Sequence, residues 1–439
     1  MKKDTFSSVS VINIGCRLNQ AEGDQLKLLL TYLCRKQNAE TGCLKTILSS
    51  DKELQIINTC AVTAQAARTS FKHIKRAIKK SNRQVVVTGC LASIAKDKLM
   101  SLSGVDAVIT QDEKVRLLED SLINLPDSRF SILPNRTRPI VKIQDGCPNE
   151  CSFCIVRLIR GKPKSRPLQS ILNEISHLVN LGYKEIVLTG LNLGAYGNDF
   201  PNKVSLVSLL KSLPDNSCRF RLSSIEPDTL IASSLYGLAD AFYDLWTSKR
   251  LCRHLHIPLQ SGDNNILKLM RRKYTVEEYC KLIDTVYTKI PDVNIGTDII
   301  VGFPNEDNKA FENTIKIVES LPFGYLHIFP YSHRPQTPAS NLPDNVPRKV
   351  KKERVNILRD ISKKKATAFR NRFINRELEF LIESTAYQLC ESQCLEENDK
   401  FSSQRKTTVT AISDNYIKLT LPKTLHYQPG NLYRIKIEV

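Results

Sequence analysis

The sequence predicts an α/β protein built from three parts. We expect residues 1–125 to form a small parallel α/β domain, residues 133–370 a partial TIM-like (βα)6 barrel, and residues 376–439 a small antiparallel β barrel. Three observations predict this division. The chain of 439 residues is too long for one compact core. Short runs rich in valine and isoleucine alternate with helical periodicity through the first two parts, and strands that alternate apolar and polar residues follow.

The first part contains three candidate buried strands. They are "VSVINIG" (9–15), "LQIINT" (54–59) and "RQVVVTG" (83–89), each a nearly continuous apolar run closed by Gly, Asn or Thr. Such runs are typical of parallel strands that are covered on both faces. The stretches "EGDQLKLLLTYLCRK" and "RTSFKHIKRAIKK" have helical periodicity and connect the strands.

The second part contains six strand–helix units, which predict a barrel with six strands in place of eight. A basic, proline-bearing linker (130–139) precedes it. The predicted strands are "IVKIQ" (140–144), "KEIVLTG" (184–190), "CRFRLSSI" (218–225), "HLHIPLQ" (254–260), "NIGTDIIVGF" (294–303) and "YLHIFPYS" (325–332). A basic helix (347–372) and the β tail complete the chain.

The charge of the chain favours a polyanionic partner. Lysine and arginine outnumber aspartate and glutamate by 64 to 45, a formal net charge of +19. Dispersed cations attract a phosphate backbone before any specific contact forms. Alternatively, the excess of basic residues reflects a generally basic proteome or serves to keep the protein soluble. The charges of the basic helix could likewise form only a solvent-exposed helix face.

The cysteine content indicates metal or redox chemistry. We find no stretch of the roughly 18 apolar residues that a membrane span needs. The basic start of the chain (1–16) lacks the apolar core of a signal peptide. We therefore expect a cytoplasmic protein, in which thiols stay reduced. Thirteen cysteines in that compartment favour metal ligation over disulfides.

Three cysteines end the three strands of the first part: Cys16, Cys60 and Cys90. The carboxyl ends of parallel strands line one edge of a sheet, so residues far apart in sequence meet there. Their small neighbours are Gly15, Thr59 and Gly89, which allow close backbone approach. A single cysteine would be an ordinary buried thiol. The shared position of all three predicts a common metal centre.

Three more cysteines lie in the loop "DGCPNECSFCIV" (145–156), at Cys147, Cys151 and Cys154. The loop follows the first barrel strand and therefore lies at the barrel face where active sites are found. Closely spaced thiolates select zinc, copper(I) or an iron–sulfur cluster. A cubane iron–sulfur cluster that only carries electrons takes four protein ligands. Three ligands would leave one iron open for a substrate or cofactor.

This loop resembles that of the radical S-adenosylmethionine (SAM) enzymes, and Phe153 fits the same pattern. The wider chain, from about residue 9 to 333, is similar to the methylthiotransferases of that superfamily. The similar segments are "NIGCRLNQAEGD", "INTCAVTAQAARTSFKHIKRA", "VTGCLA", "KIQDGCPNECSFCIV", "RGKPKSRP", "KEIVLTGLNLGAYG", "HLHIPLQSGDNNILKLMRRKYTVEEY" and "TDIIVGFPNE". The basic helix and tail resemble the TRAM domain of that family. Within it, "KIQDGC", "GLNLGAYG" and "LKLMRRKYT" most resemble the branch that acts on threonylcarbamoyladenosine in tRNA.

The resemblance implies a two-cluster enzyme that inserts a methylthio group at carbon 2 of that adenosine, next to the anticodon. It implies that Cys147, Cys151 and Cys154 hold a 4Fe–4S cluster whose open iron binds SAM. It implies equally that Cys16, Cys60 and Cys90 hold an auxiliary 4Fe–4S cluster that carries the sulfur. One SAM would donate a methyl group and a second would yield the radical. The implied partners are the tRNA anticodon stem-loop, an electron donor and a sulfur source, and the target base must leave its stack.

The sequence departs from the family pattern at three places. Arg157 stands where the family usually has proline, Asn305 stands where it usually has glycine, and the tail is short for a TRAM domain. The short tail puts the strength of the tRNA grip in question, but none of these departures removes a predicted cluster ligand.

Other polar residues have two interpretations each. Ser224, Glu226 and Gln260 lie at predicted strand ends and either contact SAM or substrate or support residues that do. We interpret His254 and His256 as core or loop histidines rather than metal ligands.

The run Arg271, Arg272 and Lys273 is either a phosphate contact or a solvated helix end. The remaining cysteines are interpreted as structural: Cys34, Cys43, Cys218, Cys252, Cys280, Cys390 and Cys394.

Two other functional hypotheses remain open at the level of sequence. A methylthiotransferase could act on isopentenyladenosine in tRNA or on a ribosomal protein. Alternatively, the cysteines could be staples of a non-catalytic, metal-stabilised RNA-binding protein. The two triplets favour catalysis, because a structural site has no reason to leave one position open twice.

Overall fold

The computed structural model describes residues 9–36, 52–80, 82–123, 136–202, 204–214, 218–235, 238–248, 250–383, 408–422 and 426–438. They form two compact units. The first comprises the described residues up to 123 together with Leu158–Gly161, and the second comprises the remainder. The domain boundaries expected from the sequence stay a prediction. No described helix is long and apolar enough to cross a membrane.

The first unit is a four-stranded parallel sheet in the order β1-β2-β3-β4. The strands are β1 (Val9–Asn13), β2 (Glu53–Thr59), β3 (Arg83–Gly89) and β4 (Ala107–Ile109). The helices are α1 (Arg17–Lys36), α2 (Ala64–Ala77), α3 (Cys90–Ile94), α4 (Lys96–Met100) and α5 (Gln111–Ile123). The three predicted strands are confirmed. The sequence analysis missed β4, which is only three residues long.

The second unit contains the six parallel strands expected of the partial barrel. These are β5 (Ile140–Lys142), β8 (Glu185–Thr189), β9 (Arg219–Leu222), β10 (His254–His256), β11 (Asn294–Val301) and β12 (Phe323–Pro330), while β6 (Gln144–Asp145) and β7 (Lys164–Ser165) form a small antiparallel pair. The strands pair as β5-β8-β9 and β10-β11-β12. A parallel bridge between Phe220 and Leu251 joins the two triples.

Helices follow the barrel strands. They are α6 (Val156–Arg160), α7 (Leu168–Asn180), α8 (Leu206–Lys211), α9 (Pro227–Leu235), α10 (Leu238–Tyr243), α11 (Leu245–Ser248), α12 (Asn264–Leu269), α13 (Val276–Lys289) and α14 (Asn308–Ser320). Local sequence sets several of their starts. Thr275 forms a capping box with Glu278 at α13, and the side chain of Asp307 accepts a hydrogen bond from the backbone of Ala310 at α14.

The tail forms an antiparallel sheet in the order β15-β14-β13-β16. Its strands are β13 (Glu377–Glu383), β14 (Thr408–Ser413), β15 (Lys418–Pro422) and β16 (Leu432–Lys436). The basic helix α15 (Arg348–Asn371) precedes them and packs against β12. Residues 384–407 and 423–425 lie outside the described part, so closure into a barrel stays a prediction.

A buried carboxylate joins the barrel to the tail within the second unit. Glu185 of β8 is fully buried and pairs with Arg219 at 2.7 Å and Arg221 at 2.6 Å. The same two guanidinium groups donate to the backbone carbonyls of Ile412 and Ser413, at the end of β14. Burial alone would raise the pKa of Glu185, but the neighbouring arginines hold it well below its usual range.

We predict that Glu185→Gln destabilises the second unit by about 3–5 kcal/mol, because it leaves buried guanidinium groups without a counter-charge. Urea unfolding followed by the fluorescence of Trp246, the only tryptophan, measures this. Since folding lowers the pKa of Glu185, its stabilisation is present above the unfolded pKa of about 4.3 and is lost as the pH falls. The difference between the two proteins should therefore shrink below about pH 4.

The matched control is Glu379→Gln, which removes a half-exposed carboxylate that pairs with Arg250 at 2.8 Å. An exposed pair contributes at most about 1 kcal/mol. Equal destabilisation by the two substitutions would contradict the role given to Glu185.

Candidate metal centres and cofactor site

The first cysteine triplet lies at the carboxyl edge of the sheet in the first unit. Asn13 of β1 pairs with Asn58 of β2, so the residues that follow the two strands emerge side by side. Thr59 pairs in turn with Gly89 at the end of β3. Cys16, Cys60 and Cys90 follow these positions directly or within three residues. Burial raises the pKa of the Cys60 thiol to about 12, and the nearby thiols of Cys16 and Cys90 add to this rise. The three thiols therefore lie close together.

Two glycines make room for this triplet. Gly15 has φ +102°, and a Cβ there would lie 2.6 Å from the Sγ of Cys60. Gly89 has φ +91°, and its Cβ would lie 2.4 Å from the carbonyl oxygen of Thr59. Both positions therefore require glycine on conformational and steric grounds. The expectation that small neighbours allow close approach is confirmed.

A buried charge network accompanies the triplet. Lys114 of α5 is fully buried and binds Glu22 at 2.8 Å. Arg160 binds the same carboxylate at 2.8 and 3.1 Å. The ammonium of Lys114 also donates to the side-chain oxygens of Asn19 and Asn58. Lys114 and Arg160 thus share the single carboxylate of Glu22, so this group of three side chains carries a net charge of +1. Thiols lose their protons when they bind metal, and this positive charge would offset the resulting negative charge.

The second triplet lies on the loop after β6. The Ser152 hydroxyl donates to the carbonyl of Leu269 at 2.7 Å, and its backbone N–H donates to Met270 at 3.0 Å. The loop is thereby fastened to the end of α12. The backbone N–H of Asn149 points at the Sγ of Cys147 at 3.4 Å. Burial raises the pKa of Cys147 to about 11 and that of Cys154 to about 12.

The thiols of the two triplets are spaced more widely than the ligands of one bound zinc ion, and their role as metal ligands stays a prediction. Four sulfurs around one zinc at about 2.3 Å lie about 3.8 Å from each other. In the described residues, one set of His, Cys, Asp or Glu has all its ligand atoms within 4.8 Å, and it contains no cysteine: His256, Asp298 and His327. The sulfurs of neither triplet are gathered that tightly.

Arg272 lies against the second triplet, which corrects both interpretations that the sequence suggested for it. It is neither a phosphate contact nor a solvated helix end. Its guanidinium donates to the Sγ of Cys151 at 3.1 Å and forms an ion pair with Glu226. It also stacks on the ring of Tyr274 at 5.0 Å. Arg271 has φ +56°, a turn that follows α12 and precedes Arg272.

Five residues on the segments that follow the barrel strands have a buried side-chain polar atom without a protein partner. They are Asn149, Asn192, Ser223, Asp228 and Gln260. Such atoms are costly unless a ligand or water satisfies them. These unpaired atoms fit a SAM site at this face of the barrel. The amino, carboxylate and ribose hydroxyl groups of SAM can form hydrogen bonds with them.

The three residues that the sequence analysis placed at predicted strand ends, Ser224, Glu226 and Gln260, have different outcomes. Glu226 is bound to Arg272, and burial raises its pKa. Gln260 is buried with φ +72°, a strained conformation of the kind that is found at functional sites. Ser224 is exposed, whereas the neighbouring Ser223 is the buried serine with an unpaired hydroxyl. Direct contact of any of them with SAM stays a prediction.

Comparisons with known proteins agree with the division into a parallel-sheet unit and a barrel, each with three cysteines. A family model described as the radical SAM superfamily matches residues 141–318, and one described as uncharacterized protein family UPF0004 matches residues 8–110. The threonylcarbamoyladenosine tRNA methylthiotransferase MtaB of Thermotoga maritima is 34% identical over 86% of this chain and 87% of its own length. The protein of the same name from Rickettsia prowazekii is 33% identical over 94% and 97%.

The chain belongs to the radical SAM methylthiotransferase family. A tRNA-2-methylthio-N(6)-dimethylallyladenosine synthase of Thermosipho melanesiensis is also similar, at 30% identity over 87% of this chain and 89% of its own length. The fold is shared with the radical SAM methyltransferase TsrM of Kitasatospora setae, with a TM-score of 0.50 at 14% identity over 76% of this chain and 77% of that one. Members of the family use SAM and 4Fe–4S clusters.

The structure shows the surroundings of two of the three departures from the family pattern in this methylthiotransferase. Asn305 has φ +69°, a left-handed conformation that asparagine tolerates better than most residues. Arg157 forms an ion pair with Glu150 at 2.7 Å on the surface.

Of the other cysteines, Cys218 and Cys252 are buried and Cys280 is half-buried. The structure does not describe Cys43, Cys390, Cys394 or the side chain of Cys34.

We predict that Gly15→Ala lowers the iron bound by this methylthiotransferase by about half, because the added methyl group displaces Cys60 and removes one of two 4Fe–4S clusters. Iron and sulfide analysis after anaerobic reconstitution measures the loss. The control is Gly182→Ala, which has a similar φ of +88° but open space around its Cβ. Full iron content in Gly15→Ala would refute the placement of a cluster at this edge.

Proposed function

We propose that this enzyme inserts a methylthio group at carbon 2 of threonylcarbamoyladenosine in tRNA. The observation that carries the proposal is the pair of three-cysteine sets, one at the carboxyl edge of a parallel sheet and one on the first barrel loop. The choice of substrate is supported by the names of the relatives at 31–34% identity. The second candidate is a methylthiotransferase that acts on dimethylallyladenosine, which is the isopentenyladenosine of the sequence analysis. Synthases named for the methylthio derivative of dimethylallyladenosine reach 30–32% identity to this chain.

The six cysteines are the proposed cluster ligands. Cys147, Cys151 and Cys154 would hold the cluster that binds SAM. The auxiliary cluster would be held by Cys16, Cys60 and Cys90. When bound, the clusters and SAM supply the sulfur, the methyl group and the radical that the transfer requires.

The residues around each triplet have distinct roles in this proposal. In the first unit, the paired cations Lys114 and Arg160 offset the negative charge of bound thiolates. In the second unit, Arg272 orients Cys151 through its hydrogen bond and is itself held by Glu226. The buried amides of Asn192 and Gln260 would satisfy polar groups of SAM. Cys60 and Cys90 are buried, the three cysteines of the second triplet are half-buried, and Cys16 is exposed, so the thiols are shielded from water only in part.

Exposed cations in each unit support RNA as the partner. In the first unit, a shallow groove along α2 and the residues just after it is lined by Phe71 and by Arg68, Lys72, Lys75, Arg76 and Lys79. In the second unit, α15 carries a separate set of exposed cations. They are Arg348, Lys349, Lys352, Arg359, Lys363, Lys364 and Arg370. Dispersed cations with an aromatic ring among them suit a phosphate backbone and its unstacked bases.

Product analysis tests the proposal directly. The anaerobically reconstituted enzyme is incubated with SAM, a reductant and tRNA that carries either threonylcarbamoyladenosine or isopentenyladenosine, and the nucleosides are analysed by mass spectrometry. We expect the methylthio derivative of threonylcarbamoyladenosine. Formation of only the isopentenyl product would assign the enzyme to the second candidate.

The same assay separates the roles of the two triplets. We predict that Cys151→Ala abolishes both SAM cleavage and methylthio product, because it removes a ligand of the radical-generating cluster. Cys60→Ala should retain SAM cleavage and lose the product. Cys280→Ala, at a half-buried thiol outside both triplets, is the control and should behave as wild type. Loss of SAM cleavage in Cys60→Ala would contradict this division of roles.

A further inference from the structure

Five aromatic rings on barrel strands β10 and β12 and one ring of the tail form a continuous column of contacts. In order along the column, they are Tyr416, His254, Tyr325, His256, His327 and Phe329. Successive ring centroids are separated by 4.3, 5.9, 5.8, 5.0 and 6.4 Å. Aromatic rings attract one another at these separations. We call this set the aromatic column.

Strand pairing assembles the aromatic column. Gly296 of β11 pairs with both His256 of β10 and Tyr325 of β12, so it lies between their rings. A Cβ at Gly296 would lie 2.1 Å from the ring of Tyr325, so a larger residue would close the space that the ring occupies. The alternate residues Leu255 and Leu326 pack in the main hydrophobic core. The rings therefore face the other side of the sheet, toward the barrel interior.

Hydrogen bonds fix the rings in one arrangement. The hydroxyl of Tyr325 lies 2.8 Å from Nε2 of His254 and 3.1 Å from Nδ1 of His256. Oδ1 of Asp298 lies 2.9 Å from Nε2 of His256 and 3.3 Å from Nδ1 of His327. An ionised carboxylate only accepts hydrogen bonds, so both histidines donate to Asp298. In its neutral form, His327 then presents Nε2 as an acceptor.

Burial alone would raise the pKa of Asp298, but the two histidines hold it well below its usual range. The carboxylate is therefore ionised at neutral pH, as the hydrogen-bond pattern requires.

One end of the aromatic column is open. Phe329 is 37% exposed and the side chain of His327 is 56% exposed. At the other end, Arg221 covers the ring of Tyr416 at 5.1 Å. The open end lies in the carboxyl half of β12, toward the barrel face that carries the second cysteine triplet. The planes of the His327 and Phe329 rings are inclined by 72°, so the exposed face of Phe329 is suited to receive one more flat ring with His327 at the edge of that ring.

We propose that His327 and Phe329 form the platform that receives the target purine base once it leaves the anticodon loop, with Asp298 holding the His327 ring in place. The inference rests on the proposed function. Single-stranded bases are commonly held by stacking on exposed aromatic side chains, and a base that undergoes chemistry must be taken out of its stack. Nε2 of His327 adds a hydrogen-bond acceptor for an N–H group on the edge of the base.

A divalent cation is the competing occupant, because His256, Asp298 and His327 have ligand atoms within 4.8 Å of one another. The hydrogen bonds favour the base. Both ring nitrogens of His256 are already used, one by Tyr325 and one by Asp298. Binding a cation would break one of these bonds and uncouple the aromatic column.

The test compares reconstituted Phe329→Leu and Phe329→Tyr with wild type on the tRNA substrate. Loss of the ring should lower kcat/KM for tRNA by about tenfold or more, since stacking of one base on an aromatic side chain contributes in this range. SAM cleavage without tRNA and the iron content should be unchanged. Phe329→Tyr keeps a ring and should restore most of kcat/KM. The control is Tyr287→Leu, which removes another 37% exposed aromatic side chain that lies on α13.

A binding measurement gives a second readout that does not depend on turnover. The probe is an anticodon stem-loop RNA with 2-aminopurine at the target position. Stacking on Phe329 should quench the fluorescence of the bound RNA, so the Phe329→Leu complex should be brighter than the wild-type complex.

Three outcomes overturn the platform. They are equal kcat/KM in Phe329→Leu and wild type, equal fluorescence of the two complexes, and stoichiometric Zn²⁺ or Mn²⁺ binding that Asp298→Asn abolishes. Failure of wild type to modify any tRNA refutes the proposed function instead, so the two failures are distinguishable.

Discussion

Parallel strand pairing is the constraint on which the chemistry of this protein depends. It brings Cys16, Cys60 and Cys90 to one edge although 74 residues separate the first from the last. The ladder is in register from Asn13 to Asn58 and from Thr59 to Gly89, so the three cysteines follow strand ends that lie side by side. In the second unit, the same principle places the loop after the first barrel strand at the face where the ends of the other strands converge.

Buried cations are the second common feature of the two cysteine sets. Three thiols lose their protons when they bind iron, and burial opposes that charge, as the raised pKa of Cys60 and Cys154 indicates. Lys114 and Arg160 offset the charge near the first set, and Arg272 offsets it at Cys151. In each case one carboxylate holds the cations in place. The positive charge that the proposed clusters would need is therefore already present in the fold.

The sequence predicted the strands well, because apolar runs are local signals, whereas the metal-binding role of the two cysteine sets stays a prediction. It missed β4, which is too short to show a pattern. It also missed Lys114 and Glu22, since a buried ion pair between distant helices looks like two surface charges in a sequence. Arg272 lay within a basic run that suggested phosphate, and only the turn at Arg271 directs it inward. The aromatic column depends on pairing between three strands, which no local pattern encodes.

Metal analysis of the anaerobically isolated protein tests the central claim most directly, because the claim is that each cysteine set holds a cubane cluster with one iron left open. Iron, acid-labile sulfide and zinc are measured on the same sample after reconstitution. We predict about eight iron and about eight sulfide per chain, with zinc absent from both sites. Tightly bound zinc without iron would contradict it and would make the cysteines structural staples.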